Sequence, residues 1–400
     1  MKEKRFQIQN PDRLVHLLIL VYGALCLWLF YNQSIAVLPE TGNGRFQSDL
    51  PLHLSMVLED GWYYSFTAIV YQVLDVMFFH STLGVAIFLC VVAVATVYAT
   101  DVLLGEFDFG NAGFRRLLLA LSLNFVMPIY VEWVGEFRYV SYQSGNIWHN
   151  STYLCMRLAA VWSLIWYFRL ERQYREGLTG KQWLGFALIN VLCTGIKPSF
   201  LLVYSPIVGI FLLVDLIRGV PLKRVLLFGS ALLPSGLVIL WQNAVLFGKD
   251  TGSKIELALW KNFSQHTQIP KAAVLLSVLF CLLALLFGLI VFMRNRGNVA
   301  EKDKKQGRRM VFVLLMTVLG FLEALLFSES GYRASAGNFL WGYYFCIFVL
   351  FALSTTIWLR PEKGTFENVS KWILGLVYGL HLYCGLYFFA LLVSGVGYFM

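Results

Sequence analysis

Apolar runs of about 18 or more residues, repeated along the whole chain, limit most strongly what this sequence can become. A run of that length with few charges is read as a membrane-crossing helix, because about 20 residues rising 1.5 Å each span a hydrocarbon core of roughly 30 Å. Such runs fall near 14–31, 83–104, 117–134, 152–168, 199–217, 225–247, 273–293, 310–327, 340–358 and 372–395, with a shorter one near 183–196. Composition agrees: 58% of the 400 residues are hydrophobic and 14% charged, against roughly 25% charged in ordinary soluble domains. The expectation is an all-α polytopic bundle of about eleven spans forming one transmembrane domain over 1–400, with no separate soluble domain.

The segment 62–79 is long enough to cross but contains Gln72 and Asp75 and is followed almost at once by the next apolar run. Charge placement decides its role. Laid in the interface as a juxtamembrane helix, as its Trp and Tyr start permits, it leaves most of the 32 Lys and Arg on one side; made to cross, it scatters them. The positive-inside rule therefore predicts a multi-pass cell-membrane protein with its N-terminus cytoplasmic and its C-terminus outside, the first run acting as an uncleaved anchor. The net charge of +9 then reflects topology and calls for no nucleic acid. On this reading the basic stretch 294–309 is a solvated cytoplasmic loop.

The seven cysteines form no CxxC and lie in or beside apolar runs, so they read as small core residues. His16 and His381 also fall in apolar runs and read as satisfied core groups. No P-loop, HExxH or GxSxG occurs. No zinc site and no cofactor are expected.

The polar residues assigned to the outer side come from five loops: Asp49, His53, Glu59, Asp60, Glu136, Arg138, His149, Asn150, Lys197, Asp250, His266, Glu329, Arg333 and Asn338. If Asp49 begins a short helix, His53 lies one turn on, and Pro51 is tolerated in the first turn. A carboxylate there can take a proton from a sugar or lipid hydroxyl. Lys197 interrupts a long apolar stretch after a short helix, which suits a cation recessed in protein and facing a cavity or an anion. Arg333 and Asn338 sit on a Gly-rich turn before the run at 340–358. Arg138, His149 and Asn150 supply further donors.

The stretches Ser48-Asp49-Leu50-Pro51-Leu52-His53, Trp148-His149-Asn150, Lys197-Pro198-Ser199 and Gly337-Asn338-Phe339-Leu340-Trp341-Gly342, on a many-span bundle with no nucleotide-binding domain, resemble the GT-C superfamily of integral-membrane glycosyltransferases, including bacterial members that make surface polysaccharides. The resemblance implies inverting, metal-independent hexosyl transfer from a polyprenyl-phosphate-linked sugar to a glycan or lipid acceptor. It makes Asp49 the base, with His53 beside it, and Lys197 and Arg333 binders of the departing phosphate; Glu59 and Asp60 stay open as alternatives to Asp49. Two other classes fit an outer cluster on a helical bundle: a polysaccharide polymerase, and a transporter or flippase of lipid-linked sugars, for which Asp215 and Glu323 are the intramembrane candidates.

Overall fold

A computed structural model describes residues 11–36, 44–109, 113–135, 147–247, 254–265, 267–294, 301–331, 334, 337–360 and 364–396. Fifteen helices occur among them, in the order α1 Pro11–Ser34, α2 Leu50–Leu58, α3 Phe66–Met77, α4 Leu83–Glu106, α5 Phe114–Leu123, α6 Ser151–Gln173, α7 Gly180–Ile196, α8 Ser199–Ile217, α9 Leu222–Ser230, α10 Leu233–Phe247, α11 Lys261–Ser264, α12 Pro270–Arg294, α13 Glu301–Leu326, α14 Leu340–Trp358 and α15 Thr365–Val393. Strands β1 Ile255–Leu257 and β2 Phe327–Glu329 pair antiparallel, with Leu257 opposite Phe327. Eight segments are long and apolar enough to cross a membrane.

The burial pattern separates protein-facing from lipid-facing surfaces. In α1 the buried residues Val15, Ile19, Tyr22, Cys26 and Leu29 recur every three or four positions, while Leu17, Leu20 and Trp28 on the other faces are exposed. A helix apolar all round but buried on one stripe has lipid as its second solvent. At the centre, α14 is buried from Leu340 to Thr356.

Side-chain contacts fix how the helices run. α1 and α4 are antiparallel: His16 meets Tyr98, Cys90 reaches the Gly23 carbonyl and Ser34 donates to Thr82. α6 and α7 are antiparallel as well, through Gln182 with Gln173, Ser163 with Asn190 and Cys193 with Met156.

Three expectations are corrected or refined. The run at 117–134 is not one helix: α5 ends at Leu123 and the chain continues without regular structure through 126–131. Backbone outside a helix needs partners inside protein, and it has them, since Met127 N–H donates to His381 O, Ile129 N–H to Leu276 O, and the His381 ring donates through Nδ1 to Met127 O at 2.7 Å. Gly385 lets it approach; a Cβ there would overlap Phe125 O. The run at 225–247 does lie in one apolar segment long enough to cross, Leu222–Leu246, but its helix is interrupted between α9 and α10, where Pro234 lacks the N–H needed to continue it. The basic stretch is not all solvated loop either. α13 starts at Glu301, and Arg308 and Arg309 are drawn into a buried ion network: Arg308 holds Asp215 with two bonds of 3.0 and 2.8 Å, and Arg309 reaches Glu171 at 2.8 Å and Glu106 at 3.1 Å. Arg175 and the Tyr174 hydroxyl complete the Asp215 shell. Asp215 is thus an end-of-helix ion-pair anchor.

Candidate functional site

Asp49 caps α2, with Pro51 in its first turn, yet its carboxylate makes no bond to its own helix. It turns across to another segment. Oδ1 meets His149 Nε2 at 3.0 Å, Oδ2 accepts from Asn150 Nδ2 at 2.6 Å, and the Asp49 backbone N–H donates to His149 O at 3.0 Å. The carboxylate is therefore fixed by two side chains, while its side chain keeps 31% exposure at the rim.

Asn150 has a second task. Its Oδ1 accepts from the Tyr153 backbone N–H and from Thr152 Oγ1, both at 2.7 Å, which caps α6. Thr152 Oγ1 in turn accepts from Lys197 Nζ at 3.4 Å, and that ammonium lies 4.8 Å from the centroid of the Trp341 ring. A chain of polar contacts thus runs from Asp49 through Asn150 and Thr152 to Lys197, with an aromatic floor under the cation. Asn150, Ser151 and Thr152 are all buried at the start of α6.

The Gly-rich turn joins from the other side. Ser199 Oγ donates to Asn338 O at 3.3 Å, and Asn338 Nδ2 donates to Glu329 Oε2 at 2.6 Å. Gly342 is required where α14 meets α8, because a Cβ would stand 2.6 Å from Ser199 O. That close approach brings Trp341 to Lys197.

His53 is one turn from Asp49 as expected, but its ring turns to another residue: Nδ1 lies 2.5 Å from the Tyr64 hydroxyl, and Nε2 is buried with no hydrogen-bond partner. Burial pushes its pKa down to about 4, with the charges of Lys197 and His149 acting the same way and Asp49 opposing them. For Asp49 burial acts upward, but the charge and hydrogen bond of His149, the charge of His53 and the Asn150 amide outweigh it and hold the carboxyl well below the usual carboxylate range. The result at neutral pH is an ionised carboxylate beside a neutral imidazole.

Of the alternatives to Asp49, Glu59 and Asp60 are exposed, and Glu59 accepts from Ser55 Oγ on its own helix. Arg138 and Arg333 lie outside the described residues. Asn338 faces Glu329. Sequence reasoning missed Tyr64, Thr152 and Gln242, whose Nε2 donates to Gly195 O at 3.0 Å and to Tyr64 O at 3.4 Å, joining α10 to both. A glutamine inside an apolar run was the available signal for the last; Tyr64 gave none.

Chemically, the cluster offers a fixed negative charge, a buried imidazole nitrogen and a half-buried ammonium, all at one end of the bundle. It suits a ligand carrying both hydroxyl and anionic groups. Among the described residues no three side chains of metal-binding type stand together. Compared with models of known protein families and with curated proteins, the sequence matches none.

Proposed function

We propose that the chain is an integral-membrane glycosyltransferase of GT-C type, moving a sugar from a polyprenyl-phosphate carrier to a glycan or lipid acceptor on the outer face of the cell membrane. In this reading α5 with its non-helical continuation, α6 and α7 add three crossings to the eight long apolar segments, giving eleven, with the N-terminus inside. α2 and α3 form the juxtamembrane element over the acceptor.

The observation that carries the reading is the linkage of Asp49 to Lys197 through Asn150 and Thr152. Transfer between hydroxyl and lipid phosphate needs a base on one side of the anomeric carbon and a positive charge on the other. An acceptor hydroxyl enters against Asp49 and takes the place of one resting donor, His149 or Asn150. Losing a donor raises the basicity of the carboxylate, which accepts the hydroxyl proton as the oxygen attacks the anomeric carbon. The bond from that carbon to the phosphate oxygen breaks with inversion, its electron pair leaving on the phosphate. Lys197 stabilises that charge over Trp341, in surroundings poorer in water than bulk and so of stronger electrostatics.

The test is transfer of labelled sugar from polyprenyl-phosphate donors by the purified protein in nanodiscs. Asp49→Asn is expected to lose about 10²–10⁴-fold in rate, the usual worth of a positioned base. Full activity in that variant defeats the assignment, and counterflow of lipid-linked sugar with no covalent product makes the protein a transporter.

A further inference from the structure

The segment from β1 to α11 reads Ile255-Glu256-Leu257-Ala258-Leu259-Trp260, in which Ile255, Leu257 and Leu259 stand at alternate positions, the spacing of one strand face. Here that face is open: Ile255 is 58% exposed, Leu257 77% and Leu259 65%, and Phe327, opposite Leu257, is 37% exposed. Glu256, on the other face, is paired with Lys261.

The position of the segment says what covers it. Ala258 N–H donates to Leu326 O at 2.9 Å, Trp260 N–H to Leu325 O at 3.0 Å, and Asn262 Nδ2 to Ala324 O at 2.8 Å. These are carbonyls of the last turn of α13, which water would satisfy at an ordinary exposed helix end. Satisfying them within protein lets the helix end in a water-poor boundary. The exposed row Val318, Leu322 and Leu326 on α13 leads directly into Phe327 and across the ribbon to Leu257, so the open apolar face continues the surface that lipid already covers.

We propose that residues 255–260 dip into the boundary between headgroups and acyl chains on the site side of the bilayer, the partner of this face being the membrane itself. The depth is limited. β1 belongs to a two-stranded sheet, and the backbone groups on its outer edge need headgroups or water as partners. β2 ends at Glu329, which holds Asn338 beside Ser199; the immersed ribbon thus sets the height of the candidate site above the membrane, whatever reaction occurs there.

Nitroxide labels at positions 257 and 259 in nanodiscs, in a background with Cys90 and Cys384 replaced by Ala, test this by power saturation with oxygen and a water-soluble nickel chelate. Labels at Leu286, on the exposed face of α12, and at Glu59 serve as lipid and water references. The ratio of oxygen to nickel collisions at 257 and 259 is expected to be several-fold above that at 59 and below that at 286. A ratio equal to that at 59 overturns the proposal. So does dipolar broadening that vanishes on dilution with unlabelled protein, which would show a second copy on this face.

Discussion

Asn150 Nδ2 donates to Asp49 Oδ2 at 2.6 Å across 101 positions of sequence, while the other end of the same amide caps α6. One side chain therefore joins the start of a 23-residue helix to the carboxylate of the site. His149 adds a second grip on the same carboxylate, so Asp49 is held whether or not α2 is otherwise well packed.

Replacing Asn150 separates these two tasks. Asn150→Ser keeps an oxygen for the Tyr153 N–H but has no amide to offer Asp49, whereas Asn150→Ala loses both. Alanine is expected to cost about 1 kcal/mol more than serine, the usual worth of an N-cap, read as a lower melting temperature in detergent. If the proposed sugar transfer is this protein's activity, both variants are expected to show it at a lower rate. Equal melting of the two variants would show that the cap contributes nothing.

The His53 ring gives a pH dependence whose sign follows from its surroundings. Burial and the charges of Lys197 and His149 bring its folded-state value down to about 4 from an ordinary 6.5, against the pull of Asp49. The unfolded chain then binds a proton near pH 6.5 that the folded chain refuses until about pH 4, so stability falls as the pH drops through that window and is level above it. Asp49 acts lower: its depressed folded value gives stability that is present above the unfolded value and lost as pH falls through the folded one. Melting temperature measured from pH 8 to 4 is expected to decline below 6.5 in the wild type and to decline less in His53→Gln. A parallel decline in the two would remove His53 as its source.

What could be read in the sequence followed from period and length. The runs at 199–217 and 340–358 coincide with α8 and α14 because nothing inside them competes with a helix, apart from Pro206, which α8 absorbs. The run at 117–134 misled because apolar content is equally compatible with buried irregular backbone, and only the partners at Leu276 and His381 distinguish the two. Within the site, Asp49, His149, Asn150 and Lys197 stood out as polar residues beside apolar runs, and the structure joins them. Their order of contact was not legible. Nothing local to Asp49 says that His149 and Asn150 hold it more directly than His53, since that depends on how α2 docks against the start of α6. Arg308 and Arg309 misled for the opposite reason: a basic run looks solvated until Glu106, Glu171 and Asp215 arrive from three distant helix ends.

Those two arginines carry the last expectation. The Arg309 side chain is 1% exposed and Glu171 2%, at 2.8 Å from each other, so removing the arginine strands a buried carboxylate. Such a loss costs about 3–5 kcal/mol, moderated here because Arg308 also stands 3.4 Å from Glu171. Arg169 pairs with Glu106 at 2.7 Å but is 54% exposed, and a pair that wet contributes about 0–1 kcal/mol. Arg309→Met is therefore expected to melt well below Arg169→Ala when both are followed by size-exclusion chromatography after heating. Adding Glu171→Leu to Arg309→Met removes the stranded charge, and part of the lost stability should return, because an apolar pair fills the same space without desolvating ions. If Arg309→Met melts with the wild type, the network is no anchor, and the joining of α4, α6 and α13 at that end rests on apolar packing alone.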